Sequence, residues 1–160
     1  MKKNQAQRSL NKSAETIGAA IMAGIAGTIA ITISQMIEMK ITDRKAGTGA
    51  ANAVEKTLQI YPQPGTKKRF TKEIHWVYGT SWGLVRGLLS AFGINKWVAT
   101  AIHFGAITGA AMAIAPLEGQ PPVKEWTSKK IGIDLLHHAV YALITGCVFD
   151  AIVNDKIRRT

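Results

Sequence analysis

Ile17–Ile37 reads IGAAIMAGIAGTIAITISQMI, 21 consecutive residues without a charge. A helix needs about 20 mostly apolar residues to cross the hydrocarbon core of a bilayer. In lipid, backbone N–H and C=O groups must bond within the protein, so a single apolar run of this kind crosses as a helix. The run is too long for a signal-peptide core and no small-x-small cleavage site ends it, so it reads as a retained span. Three more stretches have the same character: Ile74–Ile94, Val98–Leu117 and Ile131–Val153. Each of these begins or ends near an interface anchor, among them Trp76, Tyr78, Lys96, Trp97, Trp126 and Lys130.

The composition takes its meaning from this segregation. Of 160 residues, 47% are hydrophobic and 19% charged, and the mean hydropathy is +0.08. Evenly mixed, such a chain would be soluble. Here the charges crowd into the tails and connections, which predicts an all-α integral membrane protein. A disordered chain, a disulfide scaffold and a soluble α/β enzyme are all excluded on the same ground. The net charge of +10 would point to nucleic acid in a soluble domain. Flanking apolar runs, it points to anionic lipid headgroups instead, with no nucleic acid expected. Cys147, the single cysteine, lies in an apolar run and allows neither an internal disulfide nor a cysteine-based metal site.

The expected architecture is a four-transmembrane-helix bundle over residues 15–155, between a basic tail at 1–14 and another at 156–160. Residues 39–72 form one extramembrane loop of 34 residues, with a short surface helix at Ala50–Leu58. A turn comes next at Tyr61–Gly65, and then the basic run Lys67-Lys68-Arg69. Gly93, Asn95 and Lys96 make a tight hairpin between the second and third spans. Pro116, Pro121 and Pro122 break the chain before the fourth. Four spans put both termini on one face. Which face is undecided, because eight Lys/Arg on one side stand against eleven on the other.

Small residues recur every fourth position. The second span has Gly79, Gly83 and Gly87, and the third has Ala101, Gly105, Gly109 and Ala113. The first has Ala19, Ala23 and Gly27, with Ala20, Gly24 and Thr28 one step round. In lipid, close backbone approach along such GxxxG-type stripes drives packing. The stripes predict close contact between the second and third spans, without separating contact within one chain from a homo-oligomer.

Titratable groups in lipid are costly and each needs an account. Alternating span direction brings Glu38, His75, Asp134, His137 and His138 to one depth at the long-loop end. Asp134 and His138, four residues apart, share a helix face, as do His137 and Tyr141. Glu38, His75, Asp134 and His138 form the candidate protonation or ion cluster, with His137 and Tyr141 secondary. Three readings stay open: a hydrogen-bond network pinning helix ends, a proton or ion pathway, and a metal site. No polar chain clearly crosses the bilayer middle, and adjacent His137 and His138 face about 100° apart on a helix, which disfavours joint ligation. No metal site and no cofactor are therefore expected. Arg86 and Asp150, near the other face, read as a structural ion pair, and His103 as a satisfied interior histidine. The stretch Gly47–Asn52 lacks the last glycine and the preceding strand of a dinucleotide loop. No nucleophile motif or HExxH is present, so no enzyme activity is expected.

The chain resembles the YagU-like family of bacterial inner-membrane proteins of unknown function. The resemblance rests on scattered positions from Ala19 to Arg159. They are the small-residue first span ending Glu38-x5-Arg44, His75-x3-Gly79, the Pro116-Leu117-x-Gly119-x-Pro121-Pro122 turn, His138-x-Val140, and the closing Arg158-Arg159. Thr42-Asp43 stand where the family usually has a proline pair, and His103 and His137 have no counterpart there. The resemblance implies a multi-span inner-membrane protein with a link to acid stress, and it brings no catalytic residue, cofactor or substrate. The expected function is support of envelope or acid-stress homeostasis through a protonation-sensitive His/carboxylate cluster. The alternatives are a small proton or cation channel or carrier, and an assembly subunit of a larger membrane complex.

Overall fold

The computed structural model describes residues 2–159, with side chains described at Gln7 and over residues 10–154. Of the basic tail residues, the side chains of Lys2, Lys3, Arg8, Lys156, Arg158 and Arg159 lie outside the described residues. Among the described residues there are five α-helices, in chain order α1 Lys2–Thr42, α2 Gly49–Leu58, α3 Lys67–Ala91, α4 Lys96–Ile114 and α5 Ser128–Arg159. A 3-10 turn, Val123–Glu125, precedes α5. No strand occurs among the described residues.

Three of these helices are long and apolar enough to cross a membrane: Leu10–Thr42 within α1, Lys96–Ile114, and Ser128–Asn154 within α5. The expected second span, on α3, is not among them. Its first two turns carry Lys67, Lys68, Arg69, Lys72 and Glu73, and His75 and Arg86 interrupt the rest of the helix. The polar N-terminal stretch is continuous with α1, because no proline or glycine breaks it before Gly18.

The connections are short and locally determined. Gln59 ends α2 in the left-handed region at φ 54°, ahead of Pro62 and Pro64. Between α3 and α4 the chain reverses through Gly93 at φ 73°. Asn95 then caps α4, its Oδ1 accepting from Trp97 N–H at 3.0 Å.

Helix α1 lies between α3 and α5, running antiparallel to both. Against α3 the register advances one turn at a time: Ala20 meets Gly87, Gly24 meets Gly83, Thr28 meets Gly79, and Thr32 meets His75. A Cβ on Gly83 would fall on the Ala20 carbonyl oxygen and lie 2.7 Å from both N and Cα of Gly24. The glycine stripe of α3 therefore faces α1, which corrects the expectation that it pairs with α4. The reason is that α1 carries a matching run of Ala, Gly and Thr. Gly105 and Gly109 of α4 meet nothing within 4 Å, so their stripe faces outward. Against α5, Ala19, Ala20 and Ala23 pack on Phe149. Further along, Gly27 makes room for Tyr141 and Thr145. Ile31, Ile107 and Tyr141, with Trp82 beside them, form a second core.

The bundle is small and polar inside and apolar outside. Thr28, Arg86, His103, His137 and Thr145 are buried, whereas Ile21, Met22, Ile29, Val77, Leu84, Leu88, Ile102 and Leu143 are exposed.

Candidate functional site

The predicted layer divides into three pairings at the end of the bundle that meets α2. Each pairing ties a different element to the next.

The first joins α1 to α5. His137 is buried, and its Nδ1 lies 2.8 Å from Ser34 Oγ on α1. Its Nε2 faces Glu38 Oε2 at 4.0 Å. Glu38 is itself gripped by Arg44, whose Nη2 and Nε donate to Oε2 at 2.7 and 3.0 Å, and Thr42 Oγ1 donates to Oε1 at 2.9 Å. His137, expected to be secondary, is thus the histidine that meets Glu38.

The second joins α3 to α1. Thr32 Oγ1 donates to the Thr28 carbonyl at 2.6 Å, which leaves its lone pair to accept from His75 Nε2 at 3.0 Å. His75 therefore carries its proton on Nε2 in the neutral ring.

The third lies between α5 and the α4–α5 turn. His138 Nδ1 sits 2.9 Å from the Asp134 carbonyl oxygen and 3.1 Å from Asp134 Oδ2. A carbonyl only accepts, so Nδ1 holds the proton. Glu118 from the turn shares this neighbourhood. It also approaches the start of α2, where a Cβ on Gly49 would lie 3.0 Å from its Oε2. Asn52 Nδ2 donates to the Glu118 carbonyl at 3.1 Å, and Lys56 Nζ donates to the Pro116 carbonyl at 3.3 Å. Burial first, and then the nearby Asp134 carboxylate, push the Glu118 carboxyl above its ordinary range, against the opposing pull of His138 and Lys130.

Within the expected group of Glu38, His75, Asp134 and His138, the direct contact among the described residues is Asp134–His138, while His75 and Glu38 take Thr32 and Arg44 as their direct partners. Because α1 sits between its neighbours, His75 meets one flank of it and His137 the other. Position 138, about 100° further round α5, turns towards the connecting turn. Among the described residues no group of three or more His, Cys, Asp or Glu is placed to hold a metal ion.

Near the other face, Arg86 Nη2 donates to Asp150 Oδ1 at 2.5 Å, and the guanidinium lies 4.8 Å from the centroid of Phe149. Between the two ends, Tyr141 donates its hydroxyl to the Gly79 carbonyl at 2.6 Å, tying α5 to α3. His103 Nε2 donates to the Trp82 carbonyl at 2.9 Å, tying α4 to α3.

Glu118, Ser34 and Thr32 are the participants that spacing does not reveal. Thr32 and Ser34 read as ordinary polar interruptions of an apolar run. Glu118 reaches the layer only through the fold of its own turn, with Gly119 at φ 82°. No protein-family model, curated protein or solved structure matches this chain.

Proposed function

We propose that the chain is a four-span protein of a bacterial inner membrane, without catalytic activity. In this reading it supports envelope or acid-stress homeostasis through a protonation-sensitive latch at the end capped by α2. Register supports the fourth crossing. Positions 75–87 of α3 lie turn by turn against 32–20 of α1, so α3 occupies the same depth as a helix apolar enough to cross. Exposed Val77, Leu84 and Leu88 add α3 to the outer apolar belt. Its one deep cation, Arg86, is buried on the inner side and paired. Basic side chains at the α2 end, such as Lys40, Lys45 and Lys68, suit anionic headgroups. The resemblance to the YagU-like family supports the compartment and the link to acid.

The observation that carries the latch is Glu118, half-buried beside Asp134 while its backbone and its turn hold α2. Its folded-state pKa stands above the ordinary 4.5. The folded arrangement therefore favours the protonated form. The stability it contributes is fully present below 4.5 and is lost as pH rises through the raised value. The charged and titratable groups around it are Lys56 on α2, Tyr78 on α3, and Lys130, Asp134 and His138 on α5. Acid tightens this contact.

Spin labels at Thr57→Cys and Glu125→Cys, with Cys147→Ala, test this in bilayers. The expected distance between them is short and narrowly distributed at about pH 5, and broadens at about pH 8. With Glu118→Gln it stays narrow at both. A distance that ignores pH in the unaltered latch removes the proposal.

A second reading is favoured by the outward stripe Ala101, Gly105, Gly109 and Ala113, which meets nothing in this chain at its glycines. In it, α4 docks a second copy or a subunit of a larger membrane complex. A monomer in mild detergent that co-purifies with no membrane protein counts against this reading.

A further inference from the structure

The interior of the bundle holds more polar atoms than its hydrogen bonds use. His103 is fully buried, with its proton committed to the Trp82 carbonyl through Nε2. Its Nδ1 is then a bare lone pair with no partner among the described residues. Arg86 is 1% exposed and uses Nη2 on Asp150, leaving Nε and Nη1 buried and unpartnered. The hydroxyls of Thr108 and Thr145 and the Nε2 of His137 are in the same condition, and all three residues are more than nine-tenths buried. Polar groups surrounded by hydrocarbon cannot turn to solvent. Buried groups of this kind collect internal waters, each held by about two to four polar atoms.

Several of these groups gather where α5 meets its neighbours. Helix α5 presents His137, Tyr141 and Thr145 at successive turns, all buried, and then Phe149, with Asp150 one residue further on about 100° round the helix. His103 stands edge-on to Tyr141, with ring centroids 5.8 Å apart. Arg86 reaches across from α3 to Asp150. From His137 to Asp150 the helix rises about 20 Å, roughly two-thirds of a hydrocarbon core of about 30 Å. A carboxylate stands at each end, Glu38 at 12% side-chain exposure and Asp150 at 26%.

We infer that this seam is a proton pathway, in which internal waters link Asp150 and Arg86 through His103 and Thr145 to His137 and Glu38. Asp150, partly exposed and paired with Arg86, opens the seam at that end. His103 takes a proton on Nδ1 and returns it from Nδ1 to the next water, while Nε2 stays donated to Trp82. The ring is unchanged after each passage, and one proton leaves for each that enters. Between its two carboxylate ends the seam carries imidazoles, a phenol, threonine hydroxyls and the Arg86 cation, a set that suits proton exchange and offers no oxygen cage for a metal cation.

This inference rests on the bilayer crossing proposed above and not on the latch. The full chain is reconstituted in vesicles of phosphatidylethanolamine and phosphatidylglycerol and floated to show insertion. Proton entry is then driven by a potassium diffusion potential and read with trapped pyranine. Entry faster than in protein-free vesicles is expected. It is expected to be lost in His103→Gln, whose amide still donates to Trp82 but cannot take up a proton. It is expected to slow in Thr145→Val, which removes the seam hydroxyl at nearly unchanged side-chain volume. Wild-type entry at the protein-free rate overturns the pathway, and so do unchanged rates in both variants. A chain that does not float with the vesicles overturns the crossing and the pathway together. Proton entry combined with a label distance that ignores pH removes the latch and leaves the pathway standing.

Discussion

Gly83 and Gly24 meet backbone to backbone, with the Ala20 carbonyl closing the remaining space. A methyl group added at Gly83 would have to push two helix axes apart, because no flexible side chain is there to yield. Gly83→Ala is expected to cost about 1–3 kcal/mol of unfolding free energy in mild detergent. Gly105→Ala, with nothing within 4 Å, is expected to stay within about 0.5 kcal/mol of wild type. Equal effects at the two positions would contradict the α1–α3 contact. The Arg86–Asp150 pair behaves differently, because each partner leaves the other uncompensated. Asp150→Leu alone is expected to destabilise by about 3–5 kcal/mol, and Arg86→Leu with Asp150→Leu together to recover most of that loss. This pair was readable from the sequence, since an arginine and an aspartate at one depth on neighbouring spans have few other partners. The Glu38–His137 contact was not readable, because depth says nothing of which flank of α1 a histidine meets.

Helix α2 is held by the burial of Ala51, by Asn52 and Lys56 on the α4–α5 turn, and by Lys67 Nζ on Glu55 at 3.1 Å. Its docking is therefore the part of the molecule most exposed to the charge state of Glu118. At neutral pH, Glu118→Gln is expected to raise the melting temperature over wild type, and the two are expected to converge below about pH 4.5. Melting curves that stay parallel at every pH would argue against a raised Glu118 pKa. The helices themselves were legible, because proline and glycine mark their ends. The surface helix expected at Ala50–Leu58 is α2, Gly49–Leu58. The partner of each small-residue stripe was not legible, since periodicity fixes which face is small but not which helix meets it. Spans joined by a tight hairpin invite the inference that their stripes pack together. Here the hairpin holds α3 and α4 side by side while α1 takes the glycine face.

The molecule as a whole turns its small and polar residues inward and its large apolar residues outward, the reverse of a soluble fold and the arrangement a lipid solvent rewards. Everything proposed for the latch and the seam depends on α3 crossing with its neighbours, so that the titratable groups share one end and the buried polar atoms connect two faces. Side-selective labelling of single cysteines in a Cys147→Ala background decides this. With four crossings, cysteines at Asn11, Lys96 and Asn154 react from one face of the membrane, and those at Gln63 and Lys124 react from the other. Reaction of Asn11 and Asn154 from opposite faces would leave three crossings and contradict the account.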